Sequence, residues 1–201
     1  GIVSSLDGDI DKGFELVETA FKHGNENDAF IFRDETAIVY AYLLLYIGKE
    51  PQKAWAVMNT CQLNTQKSPL AKFIKSNLAL RTRHVDEAIK LLQAPLDNKE
   101  AMNIDFLDFM LGEAYLYKLD PKATDYFETY IQNFTGKNYV KEALQKQAWS
   151  YLVQDDIENY QKNMQRIEAE GEAYSASDKS AQFQAKAGNT PNVNLLKARL
   201  L

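Results

Sequence analysis

Residues 106–127 read FLDFMLGEAYLYKLDPKATDYF, and this stretch decides the fold. Phe106, Phe109, Met110 and Leu116 recur at three- and four-residue spacing, the period of a helix with a buried face. Gly112 marks a tightly packed position in that helix. Asp120-Pro121 closes the run, and proline suits a helix start because its missing N–H has no partner to lose there. Ala123, eleven residues after Gly112, and Phe127, four further on, open a second helix.

The same period runs through the chain, as in Leu144, Ala148, Tyr151 and Leu152. No run of alternating β-branched and polar residues is bounded by Asn-Gly or Gly-Gly turns, so strand signals are nearly absent. Pro51, Pro69, Pro121 and Pro191 sit where helices begin, and Pro95 closes the stretch Ala88–Leu92. Gly24, Gly48, Gly136, Gly171 and Gly188 fall near helix ends, where a left-handed residue is often needed. About ten helices of roughly 10–20 residues are expected, joined by short turns.

The helix pairs repeat. Tyr42, Ser76, Gly112 and Ala148 align as the packed position of four first helices, at spacings of 34, 36 and 36 residues. Leu45, Ala79, Tyr115 and Tyr151 follow three residues later. In the second helices Ala54, Ala88, Ala123 and Tyr160 align, and four residues beyond them stand Met58, Leu92, Phe127 and Met164.

Leu111-Gly112-x-x-Tyr115 followed by Ala123-x-x-x-Phe127 resembles the tetratricopeptide-repeat pattern L-G-x-x-Y…A-x-x-x-F. The resemblance covers most of residues 27–170. The segment from Asn133 to Ala143 and the tail from Pro191 to Leu201 look most like multi-repeat bacterial members of that family. The family's leading Trp is absent from every unit, and Tyr160 stands where Ala is usual. The resemblance implies an all-α fold, a right-handed α-solenoid of antiparallel helix pairs. It also implies a non-catalytic protein–protein interaction scaffold that binds a peptide or partner helix in a concave groove.

A single repeat domain over 1–201 follows from this alignment. It comprises a partial repeat at 1–25, repeats at about 27–64, 68–98, 104–135 and 137–170, an extra helix at 177–188 and a truncated repeat at 191–201. An array that begins and ends within a repeat is expected to belong to a longer chain, because Leu195, Leu196, Leu200 and Leu201 make no polar capping face.

Composition excludes several functions. The chain carries 23 basic and 28 acidic residues, net charge −5, with no basic stripe to grip phosphates, so no nucleic-acid partner is expected. The longest apolar run, Ala37–Ile47, spans eleven residues, against about 20 for a membrane-spanning helix; no membrane insertion is expected. Cys61 is the one cysteine, which rules out an intrachain disulfide and, with two distant histidines, a zinc site; it reads as a small core residue. No signal peptide is visible in GIVSSLDGD, and the compartment stays open: cytoplasmic, or periplasmic if a leader has been removed.

No catalytic motif, cofactor site or metal site stands out. Asp7, Asp9, Asp11, Glu15 and Glu18 occupy positions 1, 3, 5, 9 and 12 of a calcium-loop spacing. Yet Lys12 stands where that loop turns on Gly, and Gly13 comes one place late. The other reading is a turn in which Asp9 or Asp11 caps the next helix. His84 lies in the turn Thr82–Glu87 as a solvated or capping residue, and His23 has no partner at metal or triad spacing.

The remaining feature is a surface. With about 100° per residue, three rows lie on the inward side of the first helices: Val39, Phe73, Phe109 and Gln145; Leu43, Asn77, Glu113 and Trp149; Tyr46, Leu80, Leu116 and Leu152. Phe73, Asn77, Phe109, Glu113, Gln145 and Trp149 are the candidate peptide-groove residues. The other reading of Phe73, Phe109 and Trp149 is packed core, the usual place of aromatics at helical spacing. The partner would be an unidentified protein or peptide. Two other classes are a fragment of a helical-hairpin carbohydrate-active enzyme or sugar-binding module, which needs a central carboxylate pair, and a helical RNA reader, which the acidic balance opposes.

Overall fold

The computed structural model describes residues 9–26, 32–97 and 104–201. All its regular elements are helical: α1 (Ile10–Glu26), α2 (Arg33–Leu43), a π-helical turn (Leu44–Gly48), α3 (Pro51–Met58), α4 (Pro69–Arg81), α5 (Val85–Gln93), α6 (Phe106–Tyr117), α7 (Ala123–Asn133), α8 (Val140–Val153), α9 (Ile157–Ala169), α10 (Ala176–Ala187) and α11 (Val193–Leu200). The chain is all-α, with no strand among the described residues. Where the sequence suggests one domain, the backbone gathers into two compact units: Gly1–Glu87 with Ala94–Ala101, and Ala88–Gln93 with Met102–Leu201.

In the first unit α1 packs on α2, α2 on α3, and α3 on α4. Asp9 caps α1, its Oδ1 accepting from the Lys12 N–H (3.2 Å). Phe14, Val17 and Phe21 line one side of α1, and both phenylalanine rings meet Tyr40 of α2, at 5.7 and 5.1 Å. Pro51 and Pro69 are the first residues of α3 and α4. Ser68 caps α4 by accepting from the Ala71 N–H (3.2 Å). Asp34 ties the segment after α3 to the start of α2, its Oδ1 accepting from the Gln62 N–H (3.1 Å).

In the second unit α6 packs on α7, α7 on α8, and α8 on α9, α10 and α11. Phe109, Phe127 and Tyr130 form a buried aromatic cluster, extended by Phe106, Phe134 and Tyr139. Gly112 is what lets α7 approach: a Cβ there would lie 2.7 Å from the Phe127 ring. Gly171 combines a positive φ (68°) with a similar squeeze, since a Cβ would meet Val140 Cβ at 2.7 Å. Between α7, α8 and α9 lies a polar seam. Gln147 Nε2 donates to Thr124 O (3.0 Å) and Glu128 Oε2 (3.1 Å), and Gln147 Oε1 accepts from Asn163 Nδ2 (2.8 Å).

Asp178 joins α10 to α8. In α10 it completes a capping box with Ser175. The same carboxylate accepts from the backbone N–H groups of Tyr139 (2.9 Å) and Glu142 (3.2 Å), at the start of α8. Tyr139 supplies no side-chain cap of its own, so this helix end takes its acceptor from 39 residues away in sequence.

One turn recurs four times. Lys49, Arg83, Leu119 and Asp155 hold positive φ (56°, 64°, 54° and 63°), at spacings of 34, 36 and 36 residues. The next residue donates its N–H back over the helix end: His84 to Ala79 O (2.8 Å), Asp120 to Tyr115 O (2.9 Å), Asp156 to Tyr151 O (3.0 Å). This is the six-to-one closure of a helix C-terminus. Glu50 reaches one residue further back, to Leu44 O (2.9 Å), because the π-helical turn holds an extra residue.

That extra residue corrects the sequence alignment. Ala41, not Tyr42, takes the packed position in α2: Ala37, Ala41 and Leu44 are fully buried while Tyr42 is half-buried. Counting back twelve from Ala54 across an undetected π-turn lands one residue late.

Candidate functional site

The candidate residues fall into two groups. In the first unit Phe73 and Asn77 are half-buried on α4. Asn77 Oδ1 accepts from the Tyr42 hydroxyl (3.2 Å). Tyr42 in turn stacks on Tyr46, 5.9 Å between centroids and 12° between planes, and Tyr46 is 52% exposed. Burial pushes the Tyr42 phenol up to about 12, with Tyr46 adding to the rise. One residue past the buried Ala41 of α2, Tyr42 stands as Asn77 does one residue past the buried Ser76 of α4. Tyr42 is therefore a face residue that the alignment had assigned to the packed position.

In the second unit three candidates are core groups, which corrects the expectation that they line an open groove. Phe109 and Glu113 are each 1% exposed and Gln145 is buried. Phe109 sits in the aromatic cluster, with Lys146 Nζ 5.2 Å from its centroid. Glu113 pairs with Lys146, which also meets Glu142 at 3.1 Å. Burial alone would pull the Lys146 ammonium down, but Glu113 and Glu142 outweigh it and hold it above its ordinary value. Gln145 donates through Nε2 to Gln184 of α10. Of the third row, Leu80, Leu116 and Leu152 are buried while Tyr46 is exposed. Trp149 remains half-buried on α8, its indole N–H enclosed and without an acceptor.

Lys146 carries no motif and is missed by the sequence reading, whereas Tyr42 is named there but at the packed position. Their signal is positional. Lys146 follows Gln145 on the face that meets Glu113, 33 residues earlier, close to one repeat period.

The calcium spacing dissolves. Asp7 lies outside the described residues, while Asp11, Glu15 and Glu18 belong to α1 rather than to a loop. Glu18 faces Lys22 on the next turn (3.1 Å). Among the described residues no group of three or more His, Cys, Asp or Glu could hold a metal ion. His84 stacks on Trp55 (4.6 Å) and shares a hydrogen bond with the Thr82 hydroxyl (2.9 Å). Cys61 is buried, which pushes its thiol up to about 11 and away from the reactive thiolate. No described helix is long and apolar enough to cross a membrane.

These features define an all-helical protein with faces of half-buried aromatic and amide side chains. No protein-family model matches the chain, and neither a curated protein nor a solved structure matches it.

Proposed function

We propose that the chain is a tetratricopeptide-type repeat protein, a right-handed α-solenoid of antiparallel helix pairs, that acts as a non-catalytic scaffold for a peptide or partner helix. One observation carries this reading: the left-handed turn closing each first helix recurs at Lys49, Arg83, Leu119 and Asp155, one repeat apart. The approach of Gly112 to Phe127 supports it, as does the full burial of Ala41, Ser76 and Ala148 at the equivalent position. A small side chain there lets the paired helix come close, which is what a stack of helical hairpins needs.

In this reading the binding residues are part-exposed aromatic and amide side chains: Tyr42, Phe73 and Asn77 on first helices and Tyr46 on the π-helical turn in the first unit, and Trp149 in the second. Aromatic side chains beside an amide are suited to anchoring a peptide and orienting its backbone. The partner is a protein or peptide rather than nucleic acid, given the net charge of −5. The test is affinity capture from native lysate with the unaltered chain, Asn77→Ala and Trp149→Ala, followed by identification of retained proteins. A partner retained by the unaltered chain and lost by one variant is expected. Identical retention by all three forms refutes the assignment.

A further inference from the structure

We propose that the side chains of Glu128, Gln147, Asn163 and Arg166 form a register lock, a closed hydrogen-bonded ring that holds α7, α8 and α9 in one alignment which apolar packing alone would not single out. Such a lock is a property of the fold and holds whatever the chain binds.

Each step of the ring is a hydrogen bond. Gln147 Nε2 donates to Glu128 Oε2 (3.1 Å), and the same oxygen accepts from Arg166 Nη1 (2.9 Å). Arg166 Nη1 also donates to Asn163 Oδ1 (3.4 Å), and Asn163 Nδ2 closes the circuit on Gln147 Oε1 (2.8 Å). The remaining capacity is used as well. Gln147 Nε2 makes its second donation to Thr124 O (3.0 Å). Glu128 Oε1 accepts from Gln132 Nε2 (3.1 Å), and Arg166 Nε and Nη2 reach the two oxygens of Glu170 (2.8 and 3.2 Å). α7 and α9 each pack on α8, and the Glu128–Arg166 pair joins them to one another.

What the ring adds is alignment. On α8, Leu144, Ala148 and Leu152 are fully buried at four-residue intervals. Sliding the helix by one turn, about 5.4 Å, sets one aliphatic side chain in the place of another, and cores accept such exchanges when volume is roughly kept. The same slide carries Gln147 away from its partners, to the place of Ala143 or Tyr151. Gln147 and Asn163 are 2% and 4% exposed, so neither can turn to water, and a buried amide without a partner bears its full desolvation cost. That penalty falls on the slid alignments and spares the observed one. Nor does packing require an amide here. Leu111 precedes Gly112 as Gln147 precedes Ala148, and Leu111 is buried, so an aliphatic residue serves at that place. A fully satisfied polar network inside a core specifies a unique arrangement even where an apolar replacement is no less stable.

The test reads alignment and stability separately. Spin labels at Thr129→Cys on α7 and Gln165→Cys on α9, both exposed positions, report the distance between these helices by double electron–electron resonance in a Cys61→Ser background. With the ring intact, a single narrow distance is expected. Gln147→Leu/Asn163→Leu removes both buried amides and leaves the Glu128–Arg166 pair in place. Its urea midpoint is expected at or above that of the labelled parent, while its distance distribution splits or becomes about two-fold wider. A distribution as narrow as the parent's overturns the proposal. A folded double variant with a lower midpoint overturns it too, because loosened packing would then account for any broadening. If the double variant does not fold, Gln147→Leu alone decides, since it cuts α8 out of the ring and leaves Asn163 bonded to Arg166. A wider distribution is expected there as well, and a narrow one overturns the lock.

Discussion

Replacing Gly112 by Ala tests the packing on which the hairpins depend. A Cβ at this position would lie 2.7, 2.7 and 2.9 Å from three atoms of the Phe127 ring. The ring cannot swing aside, because it is fully buried and held edge-on by Phe109 at 5.7 Å. Overpacking a core costs about 1–3 kcal/mol, and three contacts on a rigid ring place this case near the top of that range. Alanine offsets roughly 1 kcal/mol through its better helix propensity. The net loss is about 2 kcal/mol, which for a chain of this size lowers the melting temperature by about 4–8 °C. Urea unfolding followed by far-UV circular dichroism should show a lower midpoint with an unchanged slope. Adding Phe127→Leu should recover part of the loss, with a coupling of about 1 kcal/mol between the two sites. A Gly112→Ala variant as stable as the parent would refute the close approach of α6 and α7.

Three further outcomes follow from the charges and the turns. Lys146→Ala strands the buried Glu113 carboxylate and should cost about 3–5 kcal/mol in urea unfolding, whereas the apolar pair Glu113→Leu/Lys146→Met should be nearly neutral. At the recurrent turn, Asp155→Gly should stabilise by about 0.5 kcal/mol and Asp155→Val destabilise by about 2 kcal/mol, since a β-branched residue tolerates positive φ least; equal effects would argue against the left-handed conformation. Burial raises the Glu128 carboxyl, but Arg166 and Gln147 outweigh it and hold the group below its ordinary value. A depressed carboxylate contributes stability above its unfolded pKa, and that contribution is lost as pH falls through the lower native value. The difference in urea midpoint between the parent and Glu128→Gln should therefore shrink below about pH 4; a gap constant down to pH 3 refutes it.

Much of the helical framework was legible because period and punctuation agree. Pro51 and Pro69 start helices, Gly188 ends one, and the apolar rows of α6 and α8 are the buried ones. The packed positions Ser76, Gly112 and Ala148 were legible for the same reason. Two features were not. The left-handed turns use Lys, Arg, Leu and Asp instead of Gly, so composition hides a conformation imposed by the helix end. The π-helical turn adds a residue without a sequence mark and shifted the register of α2, which sent Tyr42 to the wrong position. The candidate face suffered from a third ambiguity. Phe109 and Trp149 share helical spacing with core and groove residues alike, and only their neighbours separate the enclosed one from the half-buried one. Asp178 was illegible in principle, because a cap supplied from 39 residues away leaves no local pattern.

The scaffold account is tested most directly by hydroxyl-radical footprinting of the protein with and without a captured partner. The account predicts that protection falls on Tyr42 and Tyr46 in the first unit and on Trp149 in the second, all borne by first helices or the π-helical turn that ends one. Protection concentrated instead on second-helix side chains such as Trp55 and Tyr126, with Tyr46 and Trp149 oxidised as in the free protein, would contradict it.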